Sequence, residues 1–340
     1  MAPRSQAFHA VATVFVLCVF SAVVIYQDWL RQLALPLTSA IEGTIWARLL
    51  LALLLTAIPE PSPIVVVCSM VFVWIPPVHI WQWILKSFTE AQLLVLVLPG
   101  LIAAVYWING LLLLALEEKC PSWLEPYRIQ ERKPQSRPSL SRLFKTVGFN
   151  SLVVTPLIGL GLYTFQRWAN VPLFRISSEL PGPWEMATHL AIYILCNEVV
   201  FFYGHWLFHA NTYLYKNIHK IHHEFKAPCA LAAIHCHPIE LFVSDFLPMG
   251  VGCPLFGSHL ATLLLWIIFA VMGTQSHHCG FHWPWIMKSS DQPDFHDFHH
   301  EKFNCNYGNL GFLDLLHGTA AGTRAKPFAT LGKPSPDKAD

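Results

Sequence analysis

The sequence predicts an all-α protein, a multi-span transmembrane helix bundle with a histidine-rich cap on its cytosolic side. Three observations carry this expectation. Apolar residues make up 54% of the 340 residues and charged ones only 13%, about half the charged share of a soluble chain. The apolar residues gather in runs close to the ~20 residues that cross a bilayer. Of 18 histidines, all but His9 and His79 lie between His189 and His317. Mean hydropathy is +0.43, so too few charged groups remain to cover several soluble cores. One membrane body is expected, although the length would allow two or three soluble domains.

The first run, Val11 to Tyr26, is expected to be a retained span. Only Arg4 precedes it as a positive charge, and no small-x-small cleavage site follows soon after. The next apolar region, Leu50 to Trp83, is broken by Pro59, Pro61, Pro63, Pro76 and Pro77. Each proline removes a backbone donor, so the region reads as one span with a broken neighbour or as a tight hairpin. Leu93 to Leu116 is a clear span. After it comes the long basic stretch Arg128 to Lys145, where Arg128, Arg132, Lys133, Arg137, Arg142 and Lys145 face Glu131 alone. The positive-inside rule places this loop in the cytosol.

Phe149 to Phe165 then crosses outward and Trp184 to Phe202 returns. Leu241 to Cys253 and Leu260 to Met272 read as an apolar hairpin that dips in and comes back. Both histidine-rich stretches are thereby expected on the side of the basic loop. The expected parts are an N-terminal membrane region at 1–127, the basic loop at 128–145, a catalytic region at 146–325 and a disordered tail at 326–340. Net charge is +1, which implies no nucleic-acid partner. The nine cysteines stand singly with no CxxC pair, so buried thiols are expected rather than a disulfide framework.

Eight histidines form an ordered pattern. His205 and His209 are four apart. His219, His222 and His223 in HKIHH, and His296, His299 and His300 in HDFHH, share the spacing i, i+3, i+4. On a helix each set occupies one face. Imidazole suits iron or zinc, and eight buried imidazoles without partners would be costly. The pattern therefore predicts a di-metal cap that uses all eight as ligands and as the catalytic centre. Two irons would supply the redox chemistry of O2 that zinc lacks, though zinc can replace iron in preparations. His278, His237 and His282 are the candidates for further ligands. His189, inside a span, reads equally as a functional polar residue or as an interhelical hydrogen bond. Glu198, Glu224 and Asp297 are candidates to orient ligand rings through the second ring nitrogen.

From Leu190 to Thr319 the order HxxxH, HxxHH, HxxHH resembles the fatty acid hydroxylase and sterol desaturase family. GHWLFHANTYLYKNIHKIHHEF resembles its ligand-bearing helix-turn-helix. HPIE at residues 237–240, SHHCGFHWPW and YRIQ at 127–130 resemble elements of its C4-methylsterol oxidase branch. In SHHCGFH, His278 takes the family's histidine position, while His282 stands where another residue is common. The resemblance implies an endoplasmic reticulum membrane enzyme that uses iron, O2 and electrons from NAD(P)H by way of cytochrome b5 or its reductase. The chain itself has no cytochrome b5 module and no dinucleotide-binding Gly-rich turn, so a separate donor is expected to dock on the cytosolic face.

The expected activity is hydroxylation of a membrane lipid, foremost a C4 methyl group of a sterol precursor. Hydroxylation or desaturation of a fatty acyl chain or sphingoid base would use the same ligands. A non-enzymatic membrane regulator that keeps its metals is the third class. Trp206, Phe208, Phe281, Trp283 and Trp285 read as entrance or interfacial aromatics. A metal hydrolase is disfavoured, since no HExxH is present.

Overall fold

The computed structural model describes residues 78–130, 137–282 and 292–322. The expected span Val11 to Tyr26, the proline-broken region up to residue 77, Trp283, Trp285 and the tail at 326–340 lie outside the described residues. Among the described residues there is no β-strand, only two isolated bridges. The all-α expectation holds.

Among the described residues, four helices are long and apolar enough to cross a membrane. They are α2 (Glu90–Lys119), α3 (Leu140–Ala169), α4 (Pro183–Ala210) and α6 (Leu260–His277), preceded by a short α1 (Val78–Ser87). Two of them differ in extent from the sequence reading. α3 begins at Leu140, inside the stretch read as basic loop, because the Ser139 side chain accepts a hydrogen bond from the Arg142 backbone N–H at 3.3 Å. Such a cap satisfies a donor that a helix start leaves bare. α4 continues past Phe202 to Ala210, so His205 and His209 ride on the last turns of a spanning helix. The expected hairpin arm at 241–253 falls on a short helix that starts at Pro238 and runs through the π-helical Leu241–Phe246 to Gly250, followed after a turn by Gly252–Leu255. Neither of these is long enough to cross.

The chain divides into two compact units. Among the described residues, the first takes 78–89, 166–197 and 249–266, and the second takes 90–130, 137–165, 198–248, 267–282 and 292–322. Within the first, the Trp81 indole N–H donates to the Ser177 carbonyl at 2.7 Å and Trp266 donates to the Met249 carbonyl at 3.0 Å. Arg175 pairs its backbone with Ser258 and Leu260. His189 lies here, buried, with its ring stacked 6.5 Å from Tyr193.

The second unit holds every other histidine discussed below. Its helices approach closely where glycine permits. A Cβ on Gly159 would stand 2.5 Å from the Leu94 carbonyl oxygen, so α2 and α3 touch backbone to side there. A mostly buried segment, 225–236, whose one regular element is the short 3-10 helix Ala230–Ile234, is held by polar side chains of the membrane-capable helices. The Tyr106 hydroxyl donates to the Leu231 carbonyl at 2.9 Å and accepts from the Ile234 N–H at 3.1 Å. The Asn150 amide donates to the carbonyls of Ile234 and Cys236, both at 2.9 Å. Asn109 and Gln275 are bonded at 2.8 Å, and Gln275 donates onward to the Tyr106 carbonyl. Backbone outside a regular α-helix is tolerated in an apolar setting where protein groups satisfy it in this way.

Candidate metal centre

The ligand-bearing segments fold back on one another for local reasons. α4 stops at Ala210, and the Asn211 side chain caps the next helix, α5 (Thr212–Asn217), by accepting from the N–H groups of Tyr213 and Leu214 at 2.9 and 3.1 Å. The chain therefore reverses at once, and HKIHH returns alongside His205 and His209. His219–Glu224 is a 3-10 helix, tighter than the α-helix its spacing suggested. HDFHH lies on α7 (Asp294–Lys302) as expected.

Nine histidines meet in two groups. His205, His209, His219, His223 and His299 form one, and His222, His278, His296 and His300 form the other. Within each group the ligand atoms lie within 4.8 Å of one another, and all nine rings except half-buried His209 are buried. Sharing one helical face does not put a triplet at one centre. HKIHH sends His219 and His223 to the first group and His222 to the second. HDFHH does the reverse, sending His296 and His300 to the second and His299 to the first. Each triplet thus bridges both groups, with i and i+4 on one side and i+3 on the other.

The ring protons show why these groups suit cations. Nδ1 of His205, His299, His278 and His300 donates to the carbonyls of Tyr307, Cys305, Thr274 and Phe225, at 2.8, 2.6, 2.7 and 2.9 Å. A carbonyl cannot donate, so each of these neutral rings keeps its lone pair on Nε2. His219 Nδ1 lies 2.7 Å from the Glu240 carboxylate. Nε2 atoms then crowd together. The three pairs among His209, His219 and His223 are 2.8, 2.9 and 3.1 Å apart. His299 approaches His223 at 3.3 Å, and His278 lies 3.1 Å from His296 and 3.4 Å from His222. Lone pairs pointed at one another repel, and a cation between them removes the repulsion. The donor set is all imidazole, which fits iron or zinc.

Electrostatics agree. Burial, together with neighbouring imidazoles, holds His219, His222, His223, His296, His299 and His300 well below the usual histidine range. Burial lowers His278 to about 4. All seven rings are therefore neutral near pH 7, the state that ligates.

His237 and His282, expected as additional ligands, belong to neither group. His237 caps the turn Pro238–Glu240, its Nδ1 accepting from the Ile239 N–H at 3.1 Å. His282 Nδ1 is bonded to Asp294. The proline after His237 fixes that turn, and the Asp294 carboxylate captures the His282 ring. Of the carboxylates proposed to orient ligand rings, Glu224 instead meets Arg142 and His235, and Asp297 accepts from Gln130 at 2.8 Å. Glu198 accepts from the N–H groups of Asn309 and Leu310, both at 2.8 Å. With Asp314, which accepts from Tyr307 and Gly308 at 2.7 Å, it shapes the loop whose carbonyls meet His205 and His299. Glu240 was missed in the sequence, although a lone acid opening an apolar run was a signal. Phe208 stacks on His219 at 5.6 Å, Phe281 is buried beneath Arg128, and Trp206 is exposed.

A small cavity of about 20 Å³ touches both groups. His205, His219, His222, His278 and His296 line it, together with Phe201, Glu240, Ser244, Asp245 and His277.

Residues 190–319 match the family model described as fatty acid hydroxylase. The human fatty acid hydroxylase domain-containing protein 2 is 39% identical over 245 residues, covering 70% of this chain and 71% of that protein. Methylsterol monooxygenase 2-2 of Arabidopsis thaliana is 30% identical over 252 residues, 72% of this chain and 92% of its own length. Very-long-chain aldehyde decarbonylase GL1-11 of Oryza sativa subsp. indica is 30% identical over 249 residues, 70% of this chain and 90% of its own. No solved structure matches.

Proposed function

This chain belongs to the fatty acid hydroxylase family, and from that premise we propose that it oxidises a membrane lipid with O2 at a di-iron centre. The observation that carries the reading is the reciprocal split of the two HxxHH triplets. It ties both groups to the same two segments, so two ions would be held at a fixed separation. The eight patterned histidines and His278 are the ligands in this reading. Bound iron supplies O2 activation and one-electron steps, which zinc does not.

The chain's own residues have separate tasks. The carbonyls of Tyr307, Cys305, Thr274 and Phe225, with Glu240, fix ring tautomers and aim Nε2 inward. Such outer partners raise ligand basicity and hold ring orientation. The four membrane-capable helices offer an apolar path for a bilayer substrate. Hydroxylation consumes one O2, two electrons and two protons per C–H bond and releases one water. The electrons come from a separate protein, with cytochrome b5 or its reductase as the proposed donor.

The substrate we assign is a C4-methyl sterol precursor, supported by the likeness to methylsterol monooxygenase 2-2 over nearly all of that protein. The site is proposed to face the cytosol from the endoplasmic reticulum membrane, on the side of the basic stretch that opens at Arg128. A second reading, oxidation of a long acyl chain, is supported by equal identity to an aldehyde decarbonylase.

Lipid mass spectrometry on cells lacking the protein, rescued with wild type or His299→Ala, separates these readings. Accumulation of 4-methyl sterols that only wild type clears supports the sterol oxidase. A change confined to hydroxylated, unsaturated or aldehyde acyl species moves the substrate to the second reading. Equal rescue by both proteins removes the catalytic reading altogether.

A further inference from the structure

The two histidine groups are not held in the same way. In the second group, His222, His278, His296 and His300, Nδ1 of His278 and of His300 is bonded to a carbonyl. Nδ1 of His222 and of His296 is buried and has no hydrogen-bond partner among the described residues. A ligand ring is commonly oriented through its second nitrogen. These two rings are placed instead by where their segments of chain lie, so whatever fixes those segments fixes the group.

Residues 127–130 and Arg137 reach all three segments that carry it. Past His222, four consecutive carbonyls each have a donor. Phe225 accepts from His300 Nδ1 at 2.9 Å, Lys226 from the Gln130 amide at 3.0 Å, Ala227 from Arg137 Nε at 2.7 Å and Pro228 from Arg137 Nη2 at 2.9 Å. The Gln130 amide also donates to Asp297 at 2.8 Å, beside His296 on α7. Past His278, the Ile129 N–H donates to the Gly280 carbonyl at 3.0 Å, and the His282 N–H donates to the Tyr127 carbonyl at 2.8 Å. Arg137 is anchored in turn, its Nη1 meeting the buried Glu117 carboxylate of α2 at 2.7 Å. A planar guanidinium serves two carbonyls and a carboxylate at once, which the point charge of a lysine does not.

The first group has other supports. His219 and His299 lie on the shared segments, but Glu240 and the Cys305 carbonyl hold them through Nδ1, and the Tyr307 carbonyl holds His205 on α4. We propose that Gln130 and Arg137 are positioning residues for the second metal ion alone, clamping the three segments that bring its four ligands together. This rests on the di-metal reading and gives the two ions separate supports.

The test loads the full-length protein in detergent with zinc and follows release to a chromogenic chelator, apart from any oxygen chemistry. Wild type should give up two ions per chain slowly. Gln130→Leu should release one ion about tenfold or more faster and keep the other at the wild-type rate. Two backgrounds assign the fast ion, since His209 belongs only to the first group and His222 only to the second. With His209→Ala, adding Gln130→Leu should speed loss of the remaining ion. With His222→Ala, it should change nothing. Arg137→Lys keeps a cation for Glu117 without the fork and should give the same single fast ion. It carries the test should Gln130→Leu fail to fold. Faster release of both ions, of neither, or of the first group's ion overturns the inference, and so does failure of both variants to fold, which would make the contacts a general brace. Fewer than two ions in wild type overturns it together with the di-metal reading. Two ions with the expected asymmetry, in a protein that oxidises no lipid, would uphold the clamp and reject the oxidation reading.

Discussion

An imidazole that carries its proton on Nδ1 has one lone pair to offer, and a backbone carbonyl is the surest way to keep the proton there. Four ligand rings are set this way, and His219 is set by Glu240 instead. That difference makes Glu240 the most informative residue to change. It is buried, and its pairing with the His219 ring is its one hydrogen bond among the described residues. Glu240→Ala should weaken metal retention by about 10–100-fold, the range seen when such outer partners are lost. Glu240→Gln keeps an acceptor oxygen and should restore part of it, which metal analysis after timed chelation would measure. Equal retention in wild type and Glu240→Ala would deny the residue its role. His299→Ala removes a ligand whose triplet serves both groups. Turnover should fall by more than ~100-fold while circular dichroism of the helices is unchanged, because the ring lies at the cap rather than in the spans.

At the scale of elements, the site depends on how closely the spans approach. Gly159 on α3 faces the Leu94 carbonyl of α2, and an added Cβ would be 2.5 Å from that oxygen. The obstacle is backbone, so the helices themselves would have to part. Gly159→Ala should cost about 1–3 kcal/mol, as overpacking does, and lower the thermal midpoint in detergent by several degrees. Gly161→Ala two residues on meets nothing within 4 Å and should be neutral or slightly stabilising, given the helix propensity gained. Equal midpoints for the two variants would contradict the close approach. These contacts mark the limit of what the sequence revealed. Hydropathy located α2 and α6 to within a few residues, and the histidine spacings picked out eight of the nine grouped rings before any geometry. The split of each triplet was not legible, because i, i+3, i+4 spacing says which residues share a face and not which of two neighbouring centres a ring turns toward. Glu240 and the carbonyls of Tyr307 and Cys305 were hidden for a related reason. Glu240 and Tyr307 reach their rings across 21 and 102 residues of chain, a tertiary pairing that the local acid signal at 240 does not reveal, and the Cys305 carbonyl is a backbone group that no residue type marks.

For the whole molecule, the consequence of enclosing so many imidazoles is a dependence on pH with a definite sign. In the unfolded chain a histidine titrates near 6.5. In the folded protein burial lowers His278 to about 4, and burial with like neighbours holds His219, His222, His223, His296, His299 and His300 lower than the usual range as well. Below about pH 6.5 the unfolded chain therefore binds protons that the folded one refuses, and stability must fall as pH falls. For His278 the loss runs from about 6.5 down to about 4. Metal binding points the same way, since each ligand must be neutral to bind and protons compete for the same lone pairs. With several rings acting together, retention should fall steeply rather than with the slope of a single group. Protein equilibrated near pH 7.5 should keep its metal, and protein equilibrated near pH 5.5 should lose most of it, with the thermal midpoint falling in parallel. Elemental analysis and a thermal scan on the same samples would measure both. A metal content flat across that interval, with a steady midpoint, would mean that the two groups do not act as neutral ligand sets. A midpoint that falls while metal stays bound would assign the sensitivity to buried histidines outside the two groups, such as His235, which burial also lowers.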